Sequence, residues 1–261
     1  MPPRSDKPRD RNVPRNNSVR ESRNASNRPK PFLWLLGIIV VVGVAALAYA
    51  LTRPKGGARA VADGPDTTNA GPAQGYLLGS PDAPVKIFEY ADFECPACAR
   101  FAILTEPDVR KRIVDAGLAS LTFYDFPLTM HPNTMPASNA AACADEQGKF
   151  WVMHDRIFQS QDEWNGQATD SPKAFFERYA REVGLDAGRW EACYDANKYQ
   201  RRINANLADG LRRGVNSTPS FVIGNKLYPG LMSYDELKAV VDSAGRVARA
   251  GAAASGTPAT R

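Results

Sequence analysis

Apolar positions fall into three regimes along the chain. From Phe32 to Leu51 they run on with no charged residue between them, whereas the stretches on either side, to Lys30 and over Gly56–Gln74, are polar or rich in Gly, Ala, Pro and Thr. From about Gly75 to Gly245 the pattern becomes that of a folded domain. Pro84–Ala91 is β-rich and bounded by prolines, which predicts a buried strand. A helix is expected to start at the Cys95-Pro96 step, where proline fits a first helical turn, and to run to about Ala116-Gly117. Leu118–Tyr124 then predicts a second strand, giving a right-handed βαβ unit. Over Pro136–Arg213 the spacing turns helical, with segments expected at Ala137–Phe150, Trp151–Gln161, Pro172–Val183 and Ala187–Arg213. β signals return in Ser220–Ile223 and Lys226–Tyr228, joined by Gly224-Asn225, a two-residue hairpin turn. A closing helix from Ser233 to about Ala244 opens on Ser233-Tyr234-Asp235-Glu236, a capping box. The fold class is therefore α/β, a mixed sheet with an inserted helical subdomain at about 136–213.

The run at 32–51 would span about 30 Å as a helix, one bilayer core, and predicts a transmembrane anchor ahead of the domain. The alternative is a cleaved signal peptide, for which Ala48-Tyr49-Ala50 resembles a cleavage site. The length of the run and the 31 residues before it favour the anchor. Nine Lys/Arg precede the run, whereas Arg53, Lys55 and Arg59 follow it, so the amino terminus is expected in the cytoplasm and the domain outside. The expected parts are a disordered tail at 1–31, the anchor at 32–51, a linker at 52–74, the domain at 75–245 and a second disordered tail at 246–261. The overall charge of +5 resides in the tails, because 75–245 carries 18 Lys/Arg against 23 Asp/Glu. An acidic domain offers no basic face for nucleic acid, and the basic tail suits topology and contact with anionic lipid.

All four cysteines fall in the exported stretch, which fits an oxidising compartment. Four cysteines allow three pairings, and spacing and placement favour Cys95 with Cys98 and Cys143 with Cys193. Cys95-Pro96-Ala97-Cys98 places two thiols one helical turn apart, directly after a strand. A thiol at such a helix start ionises far below its ordinary value of about 8.5. Cys95 is thus expected to be the nucleophile, and Cys98, facing inward, to resolve the mixed disulfide. Pro96-Ala97 brings neither charge nor hydroxyl, which leaves thiolate stabilisation to backbone amides and the helix dipole. Glu89, six residues before Cys95, would relay a proton to or from Cys98 if buried, and would be a surface carboxylate if not. Asp92 and Glu94 are expected to face solvent. His131 and His154 read as packing or hydrogen-bonding residues, as do Phe150, Trp151 and Phe158 as core. No metal site or cofactor is expected. The distant pair Cys143/Cys193 is read as a structural disulfide, closing a loop of about 50 residues worth about 4 kcal/mol.

Glu89, the Cys95–Cys98 motif and Thr218-Pro219 ahead of a hairpin together resemble the thioredoxin superfamily, and the helical insert narrows the resemblance to DsbA-like thiol:disulfide oxidoreductases. It covers about 75–245. The resemblance implies a thioredoxin-like sheet, a cis bond before Pro219, and a substrate-docking loop at Thr218 and Pro219 that pairs with an extended client. At Ala97 the chain departs from the best-studied members, where a histidine often stands. The Cys143/Cys193 pair is similar to what anchored bacterial relatives carry.

The leading reading is a monomeric, membrane-anchored enzyme that transfers its Cys95/Cys98 disulfide to exported proteins and is reoxidised by a DsbB-like or VKOR-like quinone-linked membrane protein. Two alternatives stay open: an envelope reductase or isomerase using the same dithiol, and a non-catalytic anchored peptide-binding or chaperone module.

Overall fold

The computed structural model describes residues 38–45 and 71–254, with no side-chain description for 252–254. Residues 38–45 form a helix, α1, whose side chains are exposed. It lies inside the predicted anchor, whose remaining residues fall outside the described ones, as do residues 1–31 and most of the linker. Among the described residues no helix is long and apolar enough to cross a membrane.

The domain is built on five strands: β1 (Tyr76–Leu78), β2 (Lys86–Ala91), β3 (Ser120–Asp125), β4 (Ser220–Ile223) and β5 (Lys226–Pro229), in the order β1-β3-β2-β4-β5. β2 and β3 pair in parallel, and every other neighbouring pair is antiparallel. The crossover between β2 and β3 is one long helical rod in four sections: α2 (Pro96–Arg100), a π-turn (Phe101–Thr105), α3 (Glu106–Val109) and a second π-turn (Arg110–Val114). Pro107 explains the first π-turn. It has no N–H to donate and its ring crowds the carbonyl four residues back, so the helix widens just before it.

Because successive strand residues face opposite ways, Ile87, Glu89 and Ala91 share one face of β2. On that face Ile87, Leu121, Phe221 and Ile223 pack against Phe101, Val109 and Ile113 of the crossover rod and against Leu237 and Val241 of the closing helix α10 (Tyr234–Ala254). On the other face Tyr90, Phe126 and Val222 meet Leu207 of α9 (Gln200–Arg212). Gly210 permits that approach, since a Cβ there would stand 2.6 Å from the Phe126 ring and 2.9 Å from Tyr90. The inserted helices α4 (Thr134–Asp145), α5 (Phe150–Gln159), α6 (Gln161–Trp164), α7 (Lys173–Glu182) and α8 (Ala187–Asp195) enclose a further core. It joins Phe93, Cys98 and Phe123 to Met153, Phe158, Phe176 and Trp190.

Four expectations need correction. The helix expected over Ala137–Phe150 ends at Asp145, and Gly148, with φ of +68°, separates it from α5. The long helix expected over Ala187–Arg213 is two, divided where Asn197 adopts φ of +50°, a left-handed conformation that asparagine tolerates. The closing helix continues to Ala254, ten residues beyond Ala244, so the disordered tail expected from 246 is helical through 254. Strand β1 had no counterpart in the pattern, being three residues held by pairing with β3. The predicted hairpin turn stands: Gly224 and Asn225 have φ of +55° and +65°, the pair of positive values such a two-residue loop requires.

Candidate active site

The strand β2 ends at Ala91, and the chain turns through Asp92–Glu94 into the first helical residue, Pro96. This turn puts Cys95 at the helix N-cap with extended backbone, its amide donating to the Asp92 carbonyl at 3.0 Å. Cys98, one turn on, points at the sheet and is wholly buried, while Cys95 retains 7% exposure. Both are free thiols. Their environments push them apart. The Cys98 thiol, with the nearby Thr218 side chain and the Cys98 and Ala97 amides, outweighs burial and lowers Cys95 to about 5. Burial, and the neighbouring Cys95 sulfur, push Cys98 well above the ordinary thiol range. Cys95 is thus a thiolate at neutral pH and a good leaving group, whereas Cys98 needs a proton carried to or from it. The main stabilising group is the partner thiol itself, which the expectation of amides and dipole alone had missed.

Thr218-Pro219 is cis, and its loop reaches the dithiol: Cys95 Sγ lies 3.4 Å from the Thr218 carbonyl oxygen. Pro219 leads straight into β4, so this loop is carried by the strand next to β2.

Glu89 sits between Phe123 and Phe221 on the neighbouring strands, on the face covered by the crossover rod. It is completely buried, and neither carboxylate oxygen has a hydrogen-bond partner. Burial first, and then the charge of Glu106, raise it well above the usual carboxylate range, against the opposing pull of Arg110. The surface alternative for Glu89 falls. Its charge in turn contributes to the raised value of Cys98.

Asp92 and Glu94 do not face solvent as expected; both are buried. Backbone amides draw them in. Asp92 accepts from the amides of Glu94 at 2.7 Å and Leu128 at 2.8 Å, and pairs with His131 Nδ1 at 2.8 Å, which raises the His131 value. Glu94 accepts from the amides of Asn133 and Gly166, each at 2.6 Å. Gly166 can come this close only because it lacks a side chain, for a Cβ would stand 2.3 Å from Pro132. Gln161 completes the support by donating to the carbonyls of Phe93 at 2.7 Å and Cys95 at 3.1 Å. Sequence reasoning missed Gln161 and Glu106. Gln161 carries no sequence signal, whereas Glu106-Pro107 inside a predicted helix was a visible irregularity.

His154 is buried among the rings of Phe93, Phe123, Phe150, Trp151 and Phe158. Cys143 and Cys193 form a disulfide between α4 and α8, with Cα atoms 5.8 Å apart, beside a hydrogen bond from Trp190 Nε1 to the Ala140 carbonyl. Among the described residues no group of three or more His, Cys, Asp or Glu is arranged to hold a metal.

The family model described as thioredoxin matches residues 73–243. The chain is 28% identical over 178 residues to the probable disulfide bond formation protein D of Bacillus anthracis, covering 63% of this chain and 76% of that protein. It is 34% identical over 179 residues to the Na(+)/H(+) antiporter NhaA 3 of Salinispora tropica, but that match takes in 68% of this chain and only 26% of the antiporter. The chain thus spans about a quarter of that relative's length. In structure it is similar to alpha-DsbA1 of Wolbachia pipientis, with a TM-score of 0.61 and 23% identity over 68% of this chain and 94% of that one. With its dithiol, its cis-proline loop and this match over most of the folded stretch, the chain belongs to the thioredoxin family.

Proposed function

We propose that the protein donates disulfides to exported proteins through Cys95 and Cys98. The observation that carries this reading is the asymmetry of the two thiols, Cys95 lowered to about 5 and Cys98 raised. A thiolate stabilised in the dithiol form favours that form, and so makes the disulfide form a strong oxidant. In the forward direction a client thiolate attacks Cys95 Sγ, the Cys95–Cys98 bond breaks, and Cys98 leaves with the electron pair. Cys98 takes a proton from Glu89, whose burial keeps it protonated. A second client thiolate then attacks the client sulfur of the mixed disulfide and releases Cys95, which leaves as thiolate without needing a proton. The client has been oxidised by two electrons and the enzyme reduced by two. Thr218 and Pro219 hold the client segment beside Cys95 by strand-like backbone pairing. The Cys143–Cys193 disulfide takes no part and fixes the helical insert.

In this reading the run at 32–51 anchors the chain with the domain outside the cytoplasm, near emerging clients and near a quinone-linked membrane protein that reoxidises it. Ion transport is not carried over from the antiporter relatives. Replacing Cys95 by Ser tests the class: the reading predicts loss of all disulfide transfer to a reduced client, while retained activity would mean a binding module. Replacing Cys98 by Ser leaves no disulfide to donate and tests the exchange in reverse: the Cys95 thiolate attacks a client disulfide, one client sulfur leaves as thiolate, and with no Cys98 to displace it the Cys95–client mixed disulfide should accumulate. Absence of any trapped species would count against the assigned order of attack.

A further inference from the structure

The turn that carries Cys95 holds two carboxylates at one corner of the molecule. Asp92 is wholly buried and accepts on both oxygens, from the Glu94 amide on Oδ1 and from the Leu128 amide and His131 Nδ1 on Oδ2. Glu94 likewise accepts on both, from the Gly166 amide on Oε1 and the Asn133 amide on Oε2. Neither keeps an oxygen free to carry a proton, so both are carboxylates. Asp92 is tied to the nucleophile by a tight turn, because its carbonyl accepts from the Cys95 amide at 3.0 Å, three residues on. Reduction of the disulfide adds the Cys95 thiolate, a third negative charge, beside these two.

The group able to balance that charge comes from the loop after β3. His131 Nδ1 donates to Asp92 at 2.8 Å, so that nitrogen holds its proton and only Nε2 gains or loses one. The His131 side chain keeps 17% exposure, against none for Asp92, and exchanges protons with water. The charged groups that face it are Asp92 and Glu94 from the turn and Cys95 from the start of α2, and all three favour the protonated ring. The insert reaches the same corner through Gly166 and Gln161, which carry no charge, and Pro96-Ala97 within the motif brings none. We propose that His131 is a positioning residue whose proton is coupled to the redox state of the dithiol: it holds Asp92, and through Asp92 the Cys95 turn, and its ring takes up a proton as Cys95 becomes a thiolate. The proposal rests on the oxidoreductase reading and adds a pH control to the same site.

The exchange balances. Two client thiols give two electrons to the Cys95–Cys98 bond and become a disulfide. Cys95 ends as thiolate and Cys98 as thiol, so one of the two client protons is kept at Cys98 and the other is released. Between the pH values at which His131 titrates in the disulfide and dithiol forms, His131 Nε2 binds that other proton. Such coupling is reciprocal: the factor by which the thiolate tightens the His131 proton is the factor by which that proton stabilises the thiolate. The sulfur and amide contacts set most of the Cys95 value. His131 adds a part that is present at low pH and is lost as pH rises through its own titration. The disulfide form is therefore the stronger oxidant on the acid side of that titration.

Two measurements on the full-length chain test this. The chain holds two histidines and the other, His154, is fully buried, which tells the two Cε1–H resonances apart. His131 should titrate about half a unit to one unit higher in the dithiol form than in the disulfide form. Equal titrations overturn the proposal. In the second measurement, His131→Asn keeps an amide donor for Asp92 without a titrating nitrogen, and His131→Arg keeps a cation at every pH. Both are equilibrated with glutathione buffers between about pH 5.5 and pH 9. On the acid side His131→Asn should be a weaker oxidant than the wild type, by about threefold to tenfold in equilibrium constant or about 15–30 mV, and should converge on it above the His131 titration. His131→Arg should match the wild type at low pH and stay the stronger oxidant at high pH. A merely structural role would lower stability and shift the potential equally at every pH or not at all, which overturns the proposal. Should a variant fail to fold, the wild-type histidine titration decides. A wild type that exchanges with glutathione but shows no redox-linked titration of His131 defeats the coupling alone. A wild type that does not exchange defeats the oxidoreductase reading as well.

Discussion

Cys95 Sγ stands 3.4 Å from the Thr218 carbonyl oxygen, joining the start of the crossover rod to the loop ahead of β4 across 123 residues of sequence. The Thr218 side chain lies close enough to help bring Cys95 down to about 5, although its buried hydroxyl makes no hydrogen bond in this structure. Replacing Thr218 by Val removes the hydroxyl and keeps the shape. The Cys95 thiolate should then titrate at a higher pH than in the wild type. Ultraviolet absorbance of the thiolate measures this directly, and an unchanged titration would remove Thr218 from the account.

The same lowered thiol makes stability depend on pH in a defined direction. A thiol at about 5 in the folded chain and about 8.5 in the unfolded chain stabilises the dithiol form fully above the unfolded value. That contribution fades as pH falls and is gone below about 5. Cys98, raised instead, acts oppositely: its thiol favours folding below about 8.5, and that contribution is lost as pH rises further. The urea midpoint of the dithiol form, relative to the disulfide form, should therefore increase between about pH 5 and pH 8. A flat difference over this range would contradict the lowered Cys95.

Glu94 ties two loops to the turn that positions Cys95, through the amides of Asn133 and Gly166. Glu94→Gln puts an amide donor against one of two amide donors and should cost about 1–3 kcal/mol. Gly166→Ala forces a Cβ against Pro132 and the Glu94 carboxylate and should cost a similar amount, about 1–3 kcal/mol. Denaturant titration gives both values, and losses well below 1 kcal/mol would mean that the loops are held by other contacts.

The disulfide between Cys143 and Cys193 closes a loop with a sequence separation of 50. Replacing both by Ser should lower stability by about 4 kcal/mol on the chain-entropy model. Exchange through Cys95 and Cys98 should remain at the wild-type rate once the protein is folded. A large loss of exchange in folded protein would give this pair a redox role.

What could be read from the sequence followed from local pattern. The strand Pro84–Ala91, the Cys95-Pro96 helix start and the Gly224-Asn225 turn announce themselves in a few adjacent residues, whereas the burial of Glu89 was left open between a buried acid and a surface one. Features fixed by distant partners could not be read so. Strand β1 exists because β3 offers it an edge, and Asp92 and Glu94 look like surface acids until the amides of Leu128, Asn133 and Gly166 are brought to them. The inward aim of Glu106 depends on a π-turn whose only trace is Pro107 inside a helical pattern. Asn197 divides a run that reads as one helix because a single left-handed residue leaves the apolar spacing on either side intact.

The central claim is that the thiol asymmetry makes this dithiol a disulfide donor, and equilibration of the full-length chain with glutathione buffers tests it most directly. The reduction potential of Cys95/Cys98 should lie well above that of thioredoxin, at about −200 mV or higher. A potential near about −270 mV would contradict the account and make the protein a reductant.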